Sequence, residues 1–411
     1  MNKSNFWQAF GPGILFAGAA VGTSHLVQAT RAGALYGLEL LVVVLFAYLI
    51  KYPIFRFGPL YATATGKSLL QGYRSLGKWA VILVAVTELP VNIIIVAATA
   101  IVTAGLILSV FHLAIDAVSI ASVLIALAFL LVTVGGYRLI DRCTKVFVAV
   151  LTVCTFLATI LVLPDIQWSA SGFIPTINLS ELGFLIALMG FMPAGISLSV
   201  IHSIWSLEKA KATGHKPTKA EATLDLDIGY IGSALLAICF LFMGAGVLYT
   251  SGTQPASSAG AFANQVISLY SETLGAGWGV IVGVSAITVM LSTLLTALDG
   301  FARVQASAIA LVWGKEVDQQ PSQPVQRVMT LVIGSGAILV LFAFMASFKT
   351  FIDFVTTTVF IVGPVIAILN HLVMHRSDIP AEFKPGKGMR LWSVGGIVTL
   401  VVLSLFYLFS S

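Results

Sequence analysis

Residues Gly11–Gly37 read GPGILFAGAAVGTSHLVQATRAGALYG. The stretch is long enough to cross a bilayer, which takes about 20 apolar residues. Small and polar residues nevertheless interrupt it at Gly22, Thr23, Ser24 and His25. A plain anchor has no use for such a break. In lipid every backbone N–H and C=O must be paired within the protein, so a non-helical turn survives only where it lines a cavity or a bound solute. Two half-helices meeting near the midplane, with bare amides and carbonyls facing each other, are the binding device of secondary transporters.

Outward from this stretch the chain reads as membrane protein throughout. Of its 411 residues 58% are hydrophobic and 9% charged, against about 25% charged in a soluble globular chain. Mean hydropathy is +1.00. Apolar residues fall in runs of about 20 rather than in amphipathic stripes. Eleven spans are expected, over about 11–33, 36–57, 78–110, 117–136, 144–163, 182–205, 226–250, 277–300, 328–347, 350–374 and 391–409. The third is long enough to tilt or to project beyond the bilayer.

Orientation follows from the basic residues. With the N-terminus cytoplasmic, all but Arg31 and Lys349 of the 22 Lys and Arg residues fall on the cytoplasmic side, Lys51 among them. That bias, with an odd span number, puts the C-terminus outside and suits a plasma (inner) membrane protein. A pI near 9.1 then reports topology, not a nucleic-acid partner. Cys143, Cys154 and Cys239 show no CxxC spacing and read as apolar packing. Met1–Phe10 has no small-residue cleavage site and reads as mature protein. Phe301–Gln326 reads as a short interfacial helix and a linker, and Ser251–Ala276 as a polar, partly mobile connection.

A second interruption lies five spans on. Leu185–Trp205 reads LIALMGFMPAGISLSVIHSIW, with Met192-Pro193-Ala194-Gly195 in its middle. Proline removes a helical hydrogen bond and glycine weakens the helix further. Breaks at corresponding places in two oppositely oriented halves are the sequence mark of an inverted-repeat transporter with its site at the midplane. The expected fold is therefore all-α and polytopic. A single domain (1–411) would hold two five-span repeats, about 11–163 and 182–374, with helices 1 and 6 broken and an eleventh span at 391–409.

At these residues the chain resembles the NRAMP family of proton-coupled divalent-metal transporters, whose fold is the LeuT-type 5+5 inverted repeat. The resemblance is carried by GPG at Gly11–Gly13, AGALYG at Ala32–Gly37, GYRLID at Gly136–Asp141 and the Met192-Pro193 pair. It implies that the family's metal-ligating DPGN motif falls on Gly22, Thr23, Ser24 and His25, and that its MPHN motif falls on Met192, Pro193, Ala194 and Gly195. The usual carboxylate and amide ligands are thus replaced. A divalent ion in a low-dielectric site wants a carboxylate to offset its charge. Here His25 and Met192 are the remaining candidate metal ligands, suited to a soft ion.

Gly22, Thr23, Ser24, His25, Met192, Ala194 and Gly195 are the expected substrate-binding positions. Glu88, inside span 3, is an ionisable residue at membrane depth and so marks a pathway. The resemblance implies that it moves protons. His202, near the far end of span 6, is the second candidate on a proton path. Arg31 with Glu39, and Asp299 with Arg303, read as gates or interfacial ion pairs. Asn370 and His371 are polar near the inner end of span 10. Walker, HExxH and GxSxG patterns are absent, so neither enzyme chemistry nor a cofactor is indicated. Three functions stay open: a proton-linked importer of divalent metal with an altered site, a transporter of a small organic solute or anion such as an amino acid or carboxylate, and a non-transporting receptor. Bare amides and hydroxyls at a helix N-terminus favour the second, while the resemblance favours the first, which is the family-level expectation.

Overall fold

The computed structural model describes residues 9–134, 138–168, 173, 181–314, 322–345 and 347–410. Most of the N-terminal segment Met1–Phe10, most of the outer connection 168–180, the linker stretch 315–321 and the Cys143 side chain lie outside the described residues.

Span 1 begins as α1 (Pro12–Ala20) and passes into a π-helical segment, Val21–Ala29, in which Gly22 takes non-helical dihedrals (φ −60°, ψ −129°). It resumes as α2 (Thr30–Tyr36). Pro12 suits the first turn, where its missing N–H would have no helical partner anyway. The neighbouring amides of Gly11 and Gly13 donate to the Asp225 carboxylate at 2.8 and 2.7 Å. The start of span 1 is therefore capped by a residue of span 7.

Span 2 is α3 (Leu41–Thr65), followed by the short α4 (Leu69–Leu76), which a Ser68–Gln71 capping box starts. Then come α5 (Lys78–Phe111), α6 (Ala117–Val134) and α7 (Arg138–Val162). Span 6 is α8 (Leu182–Phe191), a non-helical stretch from Met192 to Ser197, and α9 (Leu198–Thr213). The second half continues with α10 (Lys219–Met243, running on to Tyr249 as a π-helix), α11 (Ala259–Leu274) and α12 (Ala276–Val312). It ends with α13 (Gln323–Phe344), α14 (Phe348–Met374) and α15 (Lys387–Ser410). Among the described residues nine uninterrupted stretches are long and apolar enough to cross a membrane. The two broken spans complete the eleven.

Packing follows the two-fold logic of the repeats. The second half of span 6 packs on span 2 as the second half of span 1 packs on span 7, and spans 3 and 8 lie against each other. Span 1 and span 7 touch backbone to backbone. A methyl on Gly13 would lie 1.9 Å from the Asp225 carbonyl oxygen, and one on Gly229 would lie 2.0 Å from that of Gly13. Gly33 and Gly244 repeat the crossing on the other side of the break, where an added methyl would lie 2.0 Å from Leu241 O and 2.2 Å from Thr30 O. Membrane helices gain little from hydrophobic attraction in lipid, so small residues that allow such approach hold them together. Val123, Leu127, Leu130 and Val134 on α6 stay exposed, as a lipid-facing surface does.

Three local expectations are corrected. Span 8 and the stretch read as an interfacial helix are one 37-residue helix, α12. Burial of Phe301, Val304, Ala308 and Leu311 carries it past the bilayer length. The polar connection after span 7 contains α11, whose N-cap Ser258 accepts from Ala261 N and whose Phe262, Val266, Leu269 and Tyr270 are buried. Span 2 continues to Thr65, so Lys51 sits in mid-helix rather than at a basic helix end.

Candidate functional site

The two breaks meet. The Ser24 hydroxyl lies 3.3 Å from the Pro193 carbonyl oxygen and also bonds the Ala20 carbonyl. Between the breaks and spans 3 and 8 is a cavity of about 80 Å³, several times the about 10–15 Å³ that one water requires. Six hydroxyls line it, from Thr23, Ser24, Thr99, Ser197, Thr293 and Thr296, and so do Ala194 and Gly195 of the second break. Phe191, Trp205 and Phe301 supply aromatic wall. Among the described residues no ionisable side chain is part of the lining. Thr99 and Thr293 donate back to their own helices, to Ile95 O and Val289 O at 2.9 Å each, and so present lone pairs to the cavity. Thr23 Oγ1 is buried with no hydrogen-bond partner. A buried hydroxyl without a partner is rare and marks a place for a solute or water.

His25 and Met192 are buried but do not line this cavity. His25 points to span 7. Its Nε2 lies 2.9 Å from Ser233 O and 2.8 Å from Tyr48 Oη, and its Nδ1 lies 2.6 Å from Ser24 Oγ. A carbonyl can only accept, so the ring donates from Nε2 to Ser233 O. His25 and Met192 thus stand apart from the cavity wall. Among the described residues no three His, Cys, Asp or Glu side chains come together in a way that could hold a metal. Gly22 adjoins the wall: a methyl there would meet Thr293 Cγ2 at 3.3 Å and Met290 Sδ at 3.7 Å.

Glu88 does reach the site. Its buried carboxyl lies beside Ser197, one of the lining residues, and its Oε2 has no hydrogen-bond partner. Asn92, one turn on, is likewise buried with Oδ1 unpaired. His202 is fully buried against Phe16 and Trp205, with ring centroids at 5.8 and 6.4 Å. Both its nitrogens lack a hydrogen bond, and Nε2 is 3.9 Å from Asp225 Oδ2, the carboxylate that caps span 1.

Arg31 makes a bidentate pair with Asp353 of span 10, at 2.8 and 2.9 Å, and donates to Gln28 Oε1 at 2.8 Å. Its guanidinium also lies over Phe184 at 5.1 Å. Sequence reading set Arg31 beside Glu39 and missed Asp353, although the rule that marks Glu88, an acid inside an apolar helix, applies to it equally. The Asp299–Arg303 pair is present at 2.7 Å, and Glu208 joins it. Asp227 accepts from Tyr52 at 2.7 Å, and Glu221 belongs to a capping box. Asn370 ties span 10 to three elements, accepting from Tyr73 at 2.5 Å and donating to Ile54 O and Ser199 Oγ at 3.2 and 2.8 Å. His371 meets Ser393 at 2.6 Å.

The model of the natural resistance-associated macrophage protein-like family matches residues 13–410. The chain belongs to that family. An uncharacterised protein of Pasteurella multocida is 32% identical over 410 residues, which cover 97% of this chain and 92% of the relative. Among solved structures, a mutant of the Eremococcus coleocola manganese transporter superposes with a TM-score of 0.69 at 15% identity, covering 98% of this chain and 86% of the other. A Na+-coupled sialic acid symporter in its substrate-bound outward-open state superposes at 0.58 with 14% identity, covering 97% and 88%. At these identities the likeness establishes the fold, the LeuT-type arrangement. This NRAMP-family chain keeps both helix breaks, yet at the positions that the resemblance assigns to metal ligands it has Gly22, His25, Ala194 and Gly195.

Proposed function

We propose that the protein is a secondary active transporter that binds a small polar organic solute between the breaks of spans 1 and 6 and couples its movement to protons. One observation carries the reading: the cavity at the breaks is lined by hydroxyls and aromatic rings and by no ionisable side chain. A divalent ion entering it would meet no carboxylate in the wall itself, at a cost of several kcal/mol. A neutral or zwitterionic solute would find hydroxyl partners, aromatic walls and helix-end amides able to meet a carboxylate. Substrate contacts are assigned to Thr23, Ser24, Ala194 and Gly195, with Gly22 at the edge. His25 ties the first break to spans 2 and 7 from behind the cavity.

Glu88 is the proposed proton carrier, because its buried carboxyl lies beside Ser197 of the cavity wall. His202 lies on the same route toward Asp225. The basic-residue bias supports a cytoplasmic N-terminus, an outer C-terminus and a plasma (inner) membrane location. A second reading, transport of a divalent metal ion, is supported by family membership and by the manganese-transporter fold neighbour.

A thermal-shift screen of purified protein separates the two. A ligand at a hundredfold excess over its Kd stabilises by about 2.7 kcal/mol. Amino acids or small carboxylates are expected to raise Tm and manganese is not. Stabilisation by manganese with no response to any organic solute would transfer the assignment to the metal.

A further inference from the structure

Lys51 is the one buried lysine among the described residues, 1% exposed, and lies in the middle of α3. Its Nζ donates to the carbonyls of Met189 at 2.5 Å and Gly190 at 3.0 Å. Both belong to the last turn of α8, which ends at Phe191 just before the break. The last carbonyls of a helix have no partner in their own helix and carry the negative end of its dipole. In transporters with broken helices such ends are where coupling cations bind. Here a tethered ammonium occupies that place.

No carboxylate among the described residues pairs with Lys51, although a charge at membrane depth is costly and ordinarily paired. The other ionisable groups on the helices around α3 are engaged elsewhere or are cations and phenols. On α9, His202 faces Asp225, Glu208 pairs with Arg303, and Lys209 and Lys211 are cations. On α10, Asp225 caps α1, Asp227 accepts from Tyr52, Glu221 meets His215, Lys219 reaches Glu382 O, Tyr230 donates to Tyr48 O, and Cys239 is a buried thiol. On α14, Asp353 pairs with Arg31, His371 meets Ser393, and Lys349 is a cation. On α4, Tyr73 donates to Asn370 and Arg74 to Leu311 O. The α15 helix offers Lys387, Arg390 and Tyr407, and α8 offers no ionisable group.

We propose that Lys51 is a second coupling group of the transporter: its ammonium fills the cation position at the carbonyl end of α8, and loss of its proton frees that end so that the break can open. This rests on the transporter reading above and deepens its coupling step. The proton passes from Nζ to water entering at the break, and the nitrogen keeps the electron pair. The neutral amine that remains holds the two carbonyls less strongly than the charged donor did.

Hydrogen–deuterium exchange of the full chain in lipid nanodiscs tests this without any solute. Peptides from α8 through the break are followed at acidic and alkaline pH, with rates corrected for intrinsic exchange. The parent is expected to lose protection there several-fold at alkaline pH. Lys51→Arg, permanently charged, should stay protected at both. Lys51→Met should be unprotected at both. If one variant does not fold, the parent compared with the other still decides. A parent with the same protection as Lys51→Met at acidic pH, or the same pH response as Lys51→Arg, overturns the proposal. A pH response that survives in Lys51→Arg belongs to Glu88 or His202 and leaves the transporter reading standing.

Discussion

Replacing Arg31 by methionine removes the cation that ties the second half of span 1 to span 10. The guanidinium is 1% exposed and makes three charge-assisted hydrogen bonds, two to Asp353 and one to Gln28. Removing one member of a buried pair costs about 3–5 kcal/mol. The Asp353 side chain keeps 26% exposure and recovers part of its hydration, which brings the expected cost to about 2–3 kcal/mol. If the pair closes the site on that side, the closed-to-open ratio falls by about 30- to 150-fold, at about 1.4 kcal/mol per tenfold. Thr23→Cys, in a Cys143→Ser background, places a thiol on the cavity wall, and Cys154 and Cys239 are buried. Labelling of that thiol by a membrane-impermeant reagent, from the face where α2 ends, should accelerate by a comparable factor in Arg31→Met. The double variant Arg31→Met with Asp353→Asn should be no faster, because the second change removes a partner already lost. An unchanged labelling rate in folded Arg31→Met would refute the gate.

Three further outcomes are expected. Glu88→Gln should fold normally but lose the effect of an imposed pH gradient on solute uptake into proteoliposomes; a parent-like response would make Glu88 structural. His25→Phe should lower stability by about 1–3 kcal/mol through loss of the ring's hydrogen bonds to Ser233 O and Tyr48 Oη, while leaving ligand-induced thermal shifts intact; loss of those shifts at unchanged stability would bring His25 back into the site. Gly22→Asp sets a carboxylate beside Thr293, where a Cβ meets only side-chain atoms, the nearest at 3.3 Å. Calorimetry should then show manganese affinity raised by at least about tenfold, or about 1.4 kcal/mol. Micromolar manganese binding to the unmodified protein would falsify the argument from missing charge.

The sequence by itself determined the membrane class, the eleven spans, both breaks and so the fold. These rest on local physics: runs long enough to cross lipid, and Gly or Pro where a helix cannot stay paired. Glu88 was legible for the same reason, since an acid in an apolar run stands out without any partner being known. Which way a side chain points, and what meets it from another span, depends on helix rotation and crossing, and only tertiary structure decided that. His25 lies in the break by sequence but turns its ring to Tyr48 and Ser233. Lys51 counts as one more basic residue until α3 continues to Thr65 and sets it against the end of α8. Arg31 finds Asp353, more than 300 positions away, because the crossing of span 1 and span 7 at Gly33 and Gly244 and the break at Met192 bring the two repeats face to face. Spacing along the chain carries no record of such contacts, which exist only once the helices have packed.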